Sequence, residues 1–242
     1  MVAQVSKKSQ VKQIKFSPGS KEGEQFIEAP VPASKMVPDW YKKITPFKQS
    51  EVKFSEENKV INLNLKSCMP FLDALTVGYI QKTWSDIHIS IEDGELKYRV
   101  ATNPELISFR KSVSADIGQG FYNIEFVWRT YWRAKLPEGY SVLITHPLNR
   151  LDLPFQTMTG FVDADHFYHT PVGNIPFFIK EGFTGIIPAG TPMYQIIPIK
   201  RDDWKMEKVD FDEIKVKQLE HKIESIFWGA YKKLFRQNKS YT

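Results

Sequence analysis

The chain has 242 residues, of which 42% are hydrophobic and 14% aromatic, and carries a net charge of +5. That apolar fraction excludes an intrinsically disordered chain and supports a sizeable core; the length fits one large β domain with arms, or two small domains. The charge is only modestly basic, and much of the excess sits at the ends (Lys7, Lys8, Lys12 and Lys15; Lys232, Lys233, Arg236 and Lys239). Solubility is the plain reading of those ends, and contact with nucleic acid or an acidic partner is the alternative.

Residues 1–13 read as a polar tail without the apolar centre of a secretory signal. No apolar run approaches the ~18 residues of a membrane span. A protein not exported by a standard signal is therefore expected, in the cytoplasm of a host cell or in a particle assembled there. Residues 14–16 form a short strand ended by Ser17-Pro18-Gly19. In residues 26–33 prolines fall at alternate positions, which removes backbone donors and favours an extended arm over a central strand. Pro38 opens a short helix, and Trp40 and Tyr41 then anchor the arm in an apolar groove or stack on bases.

Residues 59–65 alternate as a strand. Cys68, the only cysteine, excludes an intrachain disulfide and fits a reducing compartment. Before Met69-Pro70-Phe71 it reads as a small core residue rather than a nucleophile. Residues 76–83 are β-rich with Gly78 as a possible bulge. Residues 86–91 alternate strictly, with Ile87, Ile89 and Ile91 on one face and His88 on the other. Asp93-Gly94 then signals a type I′ turn returning through residues 95–101. A connection over 102–120, with room for a helical turn, leads to residues 121–133. Those are apolar on both faces: Tyr122, Ile124, Phe126 and Trp128 on one, Phe121, Val127 and Tyr131 among those on the other. Such a strand lies inside a sandwich or under another subunit.

Residues 139–204 organise the chain. Apolar runs at 141–145, 161–162, 175–179, 185–187 and 193–199 alternate with Pro147, Pro154, Gly160, Pro171, Gly173, Pro188 and Gly190-Thr191-Pro192. Short strands with Gly/Pro punctuation indicate a sandwich or barrel, not a parallel sheet with helical crossovers. Residues 210–236 then switch to a 3.6 period, with Val216, Leu219, Ile223, Phe227, Ala230 and Leu234 in one stripe and an Asp210/Glu213 capping pair. One amphipathic helix of ~25 residues follows, free to pack on its own sheet or on a partner. The fold class is mainly β: a jelly-roll or β-clip-like sandwich over 48–205, an N-terminal arm over 1–47 and a C-terminal helix and tail over 206–242.

Three groups bear on chemistry. Asp163, Asp165, Arg150 and Gln195 are the candidates if the chain is an enzyme. His166 and His169 with Asp163 are a candidate metal set, with His146 as a further candidate, against solvated loop histidines as the simpler reading. Arg150 with Asp152 reads as an internal ion pair or a loop fastener before a catalytic arginine, and Glu181 is a general base without an identified partner.

The run Gly160-Phe161-Val162-Asp163-Ala164-Asp165-His166-Phe167, with Gly190-Thr191-Pro192-Met193-Tyr194-Gln195-Ile196-Ile197, resembles the dUTPase and dCTP-deaminase superfamily over about 60 residues. The resemblance implies a β-clip fold, with Asp163 and Asp165 matching the two hairpin aspartates and Mg2+ as the cofactor of an enzyme reading. His166 or Phe167 stands where that family has its base-stacking tyrosine. The serine pair and the Gly-rich C-terminal arm that bind phosphate there are missing. Over residues 28–205 the chain also resembles a family from tailed bacteriophages, including marine T4-like phages, and some bacteria. The matching motifs are Pro30-x-Pro32-Ala33, Val37-Pro38-x-Trp40-Tyr41-Lys42, Cys68-Met69-Pro70-Phe71-Leu72-Asp73-Ala74-Leu75-Thr76, His146-Pro147-Leu148-Asn149-Arg150-x-Asp152-Leu153-Pro154-Phe155 and Lys200-Arg201-Asp202-x-Trp204. It implies a phage context rather than an activity.

The expectation from these readings is a non-enzymatic phage protein, a virion component such as a capsid-decorating or head/neck subunit, without a cofactor. It would assemble with itself or other structural proteins through Trp40, Tyr41, Trp128, Tyr131, Trp132, Phe227 and Trp228. The alternatives are a β-clip enzyme or binder acting on a deoxynucleotide or other small ligand, and a metal-dependent jelly-roll oxygenase.

Overall fold

Alternating apolar residues between glycine and proline corners give short strands, and among the described residues every strand pairing is antiparallel. The computed structural model describes residues 11–46, 64–100, 103–109, 120–168, 172–226 and 229–242. In chain order the elements are β1 (Lys15–Pro18), α1 (Lys21–Phe26), β2 (Val31–Pro32), α2 (Asp39–Lys43), α3 (Met69–Thr76), β3 (Tyr79–Lys82), β4 (Ile87–Glu92), β5 (Glu95–Val100) and β6 (Ile107–Phe109). They continue with β7 (Phe126–Thr130), β8 (Trp132–Lys135), β9 (Tyr140–Thr145), β10 (Phe155–Thr157), β11 (Gly160–Val162), β12 (Gly173–Ile179), β13 (Gly185–Ile187), β14 (Pro192–Lys200), α4 (Glu213–Glu224) and α5 (Ala230–Leu234).

A five-stranded sheet in the order β11-β9-β14-β3-β2 and a four-stranded sheet in the order β10-β12-β7-β6 share one core with the three-stranded β13-β4-β5 sheet; β1 and β8 form a separate ribbon. Phe126 and Trp128 of β7, Phe155 of β10 and Phe177 of β12 fill the centre. The Trp128 ring stacks on Phe177 at 3.6 Å and 7°, and its indole N–H donates to Thr157 Oγ1 at 3.0 Å. Trp128 is thus a core residue with no exposed surface, which corrects its expected place at an interface. Val127 on the opposite face is buried as well, so the two-faced strand is explained by the sandwich itself. β14 is buried from Pro192 through Ile197 because strands flank it on both sides. It needs Gly78 beside it. That residue has φ +70°, and a Cβ there would sit 2.1 Å from the Ile196 carbonyl oxygen.

The β4–β5 hairpin turns through Asp93 (φ 53°) and Gly94 (φ 78°), as the type I′ signal requires, and leaves His88 exposed. The described part of the N-terminal segment, residues 11–46, lies on the chain's own body. β1 pairs with β8, and β2 is the edge strand beside β3, where proline is tolerated. α1, absent from the sequence expectation, begins at Ser20, whose hydroxyl accepts from Gly23 N at 3.0 Å.

Other expectations are corrected. Residues 121–133 hold two strands rather than one, and the 102–120 connection contains β6. The strand expected at 59–65 falls mostly outside the described residues; Leu65–Ser67 is a turn of 3-10 helix capped by Asn64. Cys68 is exposed because it bridges that turn and α3 outside the core. The C-terminal helix is present but is not one rod. α4 starts at Asp212, not Asp210, where Asp212 Oδ1 accepts from Lys215 N at 3.0 Å, and Gly229 at φ 74° separates it from α5.

Candidate functional site

The turn after β11 is where the sequence places its aspartates. Ala164 is buried in the core, and Leu136 N donates to its carbonyl at 3.1 Å. The Asp163 carbonyl accepts from His166 N and Phe167 N, closing the turn. These bonds aim both carboxylates at Arg201, which follows β14. Arg201 N donates to Gly139 O at 2.9 Å, which sets the side chain beside β9. Its guanidinium donates to both oxygens of Asp165, by Nη1 to Oδ1 at 2.9 Å and by Nη2 to Oδ2. Nη1 also lies 3.2 Å from Asp163 Oδ1. Gly139 N donates to Asp165 Oδ2 at 2.9 Å, and Ser141 Oγ donates to Asp163 Oδ1 at 2.6 Å. The Arg201 hydrogen bonds, helped by the Gly139 N–H, hold the Asp165 carboxyl well below the usual carboxylate range. Only 3% of the Asp165 side chain is exposed, against 62% for Asp163.

As they stand these aspartates do not fit a Mg2+ ligand pair, because a guanidinium already occupies the positions a cation would take. Among the described residues no three His, Cys, Asp or Glu side chains come together as a metal site. His166 is an exposed side chain, 3.7 Å from Asp165 Oδ2, and His169 lies outside the described residues.

Arg150 and Gln195 belong to a different network. The 146–153 loop is held by Arg150 N to Pro147 O at 3.1 Å and Leu153 N to Arg150 O at 3.2 Å. Arg150 grips Asp152 in a bidentate pair, Nε to Oδ1 and Nη2 to Oδ2 both at 2.9 Å, so the loop-fastening reading holds. Asp152 Oδ1 also accepts from Trp40 Nε1 at 3.2 Å. Gln195, buried in β14, accepts from Leu148 N at 2.8 Å and donates to the carbonyls of Ala74 and Val77. It thereby joins β14, α3 and the loop, and its amide is fully occupied. The four enzyme candidates therefore form two clusters, each engaged with the chain's own groups.

His146 is a functional-looking residue whose role is internal. It is buried; Nδ1 accepts from Thr157 N at 3.2 Å and Nε2 therefore donates to Arg150 O at 3.1 Å. Burial, ahead of the nearby cations Lys180 and Arg150, pushes its pKa down and keeps it neutral. Arg201 was visible in sequence only as part of a motif, directly after the apolar run 193–199.

The residues expected at an interface mostly serve the chain itself. Tyr41 is buried and stacks on Phe71 at 5.7 Å, and Trp40 meets Phe71 edge-on at 6.3 Å, the apolar anchoring that the sequence suggests. Trp132 Nε1 donates to Ile27 O at 2.9 Å, and Tyr131 packs edge-on against Trp84 at 5.5 Å. Phe227 and Trp228 lie outside the described residues. Behind the 163–167 turn a cavity of about 180 Å3 opens between the sheets, lined by Trp132, Arg133, Val162, Phe167, Tyr194 and Ile196 among others. Burial pushes the Tyr194 hydroxyl pKa up.

A run of exposed large apolar side chains lies elsewhere. From Arg201 to Ser225 every residue is exposed, including Trp204 (90%), Met206 (91%), Val209, Phe211 (78%) and Ile214. Both flanks of this excursion are tied down, one by Arg201 and the other by Arg236, whose Nη2 donates to Asp73 Oδ1 at 2.7 Å. Lys239 Nζ reaches Asp73 Oδ2 at 2.9 Å.

No protein-family model matches the chain, and no curated protein matches it. Solved structures similar to it include the dUTPase from phage phi11 of S. aureus, 11% identical over 84% of this chain and 99% of that one, with a TM-score of 0.33. The Staphylococcus bacteriophage 80alpha dUTPase with dUPNHPP is 12% identical over 83% of this chain and 90% of that one, again with a TM-score of 0.33. A likeness of that degree carries no argument about activity. No helix of the described residues is long and apolar enough to cross a membrane.

Proposed function

We propose that this chain is a non-enzymatic assembly subunit that works through protein–protein contact. On its sequence resemblance to tailed-phage proteins, we place it in the virion, as a decoration or head/neck subunit. The observation that carries the reading is the exposed apolar run from Trp204 to Ile223. A monomer gains nothing by holding so many large apolar side chains in water, and exposed apolar side chains concentrated in one segment point to an interaction surface. The occupancy of Asp165, Arg150 and Gln195 by internal partners supports the same reading, since a group committed to the fold is not free to bind a reacting atom. Mass spectrometry of purified particles of the encoding phage is the test. Stoichiometric presence is expected; absence from the particle removes the virion role.

A second reading, a small-ligand binder, is favoured by the cavity behind the 163–167 turn and by the exposed Asp163 carboxylate at that turn. A site of this size suits a ring of about nucleobase dimensions. Heat stabilisation by a member of a deoxynucleotide panel, with and without Mg2+, would support it, and no shift across the panel ends it.

A further inference from the structure

Within the exposed run, α4 has the geometry of a pairing helix. Val216, Leu219 and Ile223 recur at spacings of three and four, the heptad rhythm of a two-helix seam. β-Branched Val216 and Ile223 occupy one seam position and Leu219 the other, a choice that favours two strands. None of the 12 residues of α4 is buried against the chain's own body. A helix of that length is marginal in water by itself, so its stability has to come from packing.

The flanking charges name the partner. Lys215 and Lys222 precede Val216 and Ile223 on one side, and Glu220 follows Leu219 on the other. In a parallel pair of identical helices each residue before the seam faces the residue five places later on its neighbour, which sets Lys215 against Glu220 of the second copy, twice by symmetry. In an antiparallel pair like flanks meet, lysine against lysine and glutamate against glutamate. Lys215 Nζ meanwhile lies 2.9 Å from Asp212 Oδ2 in its own chain, on an exposed surface where partners exchange readily. We infer that α4 pairs in parallel with α4 of a second copy of this chain, through the Val216, Leu219 and Ile223 seam. The inference rests on the assembly reading above and gives it a partner. The anchors at Arg201 and Arg236 hold the pairing segment out from the body at both ends.

Sedimentation velocity of the full chain and three variants tests it. The wild type should self-associate. Leu219→Asp puts two carboxylates in the seam and should weaken association by on the order of 100-fold. Glu220→Lys should weaken it by about tenfold at low salt, the size expected when two attractive exposed pairs become repulsive. Adding Lys215→Glu to Glu220→Lys should restore it. Because no α4 residue is buried, all variants should keep the wild-type strand circular dichroism. Association untouched by Leu219→Asp overturns the inference but leaves the assembly reading standing. Association lost in Leu219→Asp but unmoved by Glu220→Lys overturns the parallel arrangement. A wild type monomeric at every concentration overturns the inference outright, and the particle mass spectrometry then judges the assembly reading separately.

Discussion

Gln195→Met separates a structural clamp from a catalytic amide. Methionine keeps the length and much of the packing of glutamine but neither donates nor accepts a strong hydrogen bond. Gln195 accepts from Leu148 N and donates to the carbonyls of Ala74 and Val77. All three partners sit in half-buried backbone, so each lost bond is worth about 1 kcal/mol rather than the full cost of a sealed orphan. The sum is about 3 kcal/mol. For a chain of 242 residues that corresponds to a fall in Tm of about 6–12 °C. Calorimetry and urea denaturation followed by tryptophan fluorescence both read it. A fall below about 1 kcal/mol would refute the clamp assignment, all the more if the variant also lost a ligand-induced stabilisation seen in the wild type.

Three further outcomes follow from the same geometry. His146 has a depressed pKa in the folded state, caused first by burial, so the unfolded chain binds the extra proton. The stability it contributes is complete above its unfolded value of about 6.5 and drains away as the pH falls below it. Thermal midpoints taken from pH 8 to 5 should show that slope, and His146→Gln should flatten it. Asp165 is depressed by Arg201, so its contribution is present above the ordinary carboxylate pKa of about 3.9 and lost below it; Arg201→Ala should remove this part of the acid titration, and an unchanged acid limb would show that the pair contributes nothing. Gly78→Ala forces a side chain into a left-handed backbone and against the Ile196 carbonyl; a loss of about 3–5 kcal/mol is expected in urea melts, and near-wild-type stability would mean the β3–β14 approach is looser than described.

Local rules carried the β4–β5 hairpin and the strands of residues 139–204, because alternation and turn chemistry act over a few residues. Asp93-Gly94 needs no tertiary information to turn. The corrections arose where distant residues decide. Trp128 looked like an interface residue because its strand is apolar on both faces, and only the stacking partner Phe177, far along the chain, shows that the second face is covered from within. The long C-terminal periodicity hid a break at Gly229, where one left-handed residue outweighs the propensity of its neighbours. The aspartate turn was legible as a motif. Its closure by Arg201, and the binding of Gln195 to α3, depend on which strand ends meet and leave no local trace.

Light scattering on the full chain eluting from a sizing column, loaded at about 1 to 100 µM to bracket a weak dimer, tests the central claim most directly. The account predicts a mass above the 28.1 kDa of one chain, returning to that of one chain when Val216, Leu219 and Ile223 are all replaced by serine. A single chain at every concentration, stabilised instead by a deoxynucleotide bound behind the 163–167 turn, would contradict it.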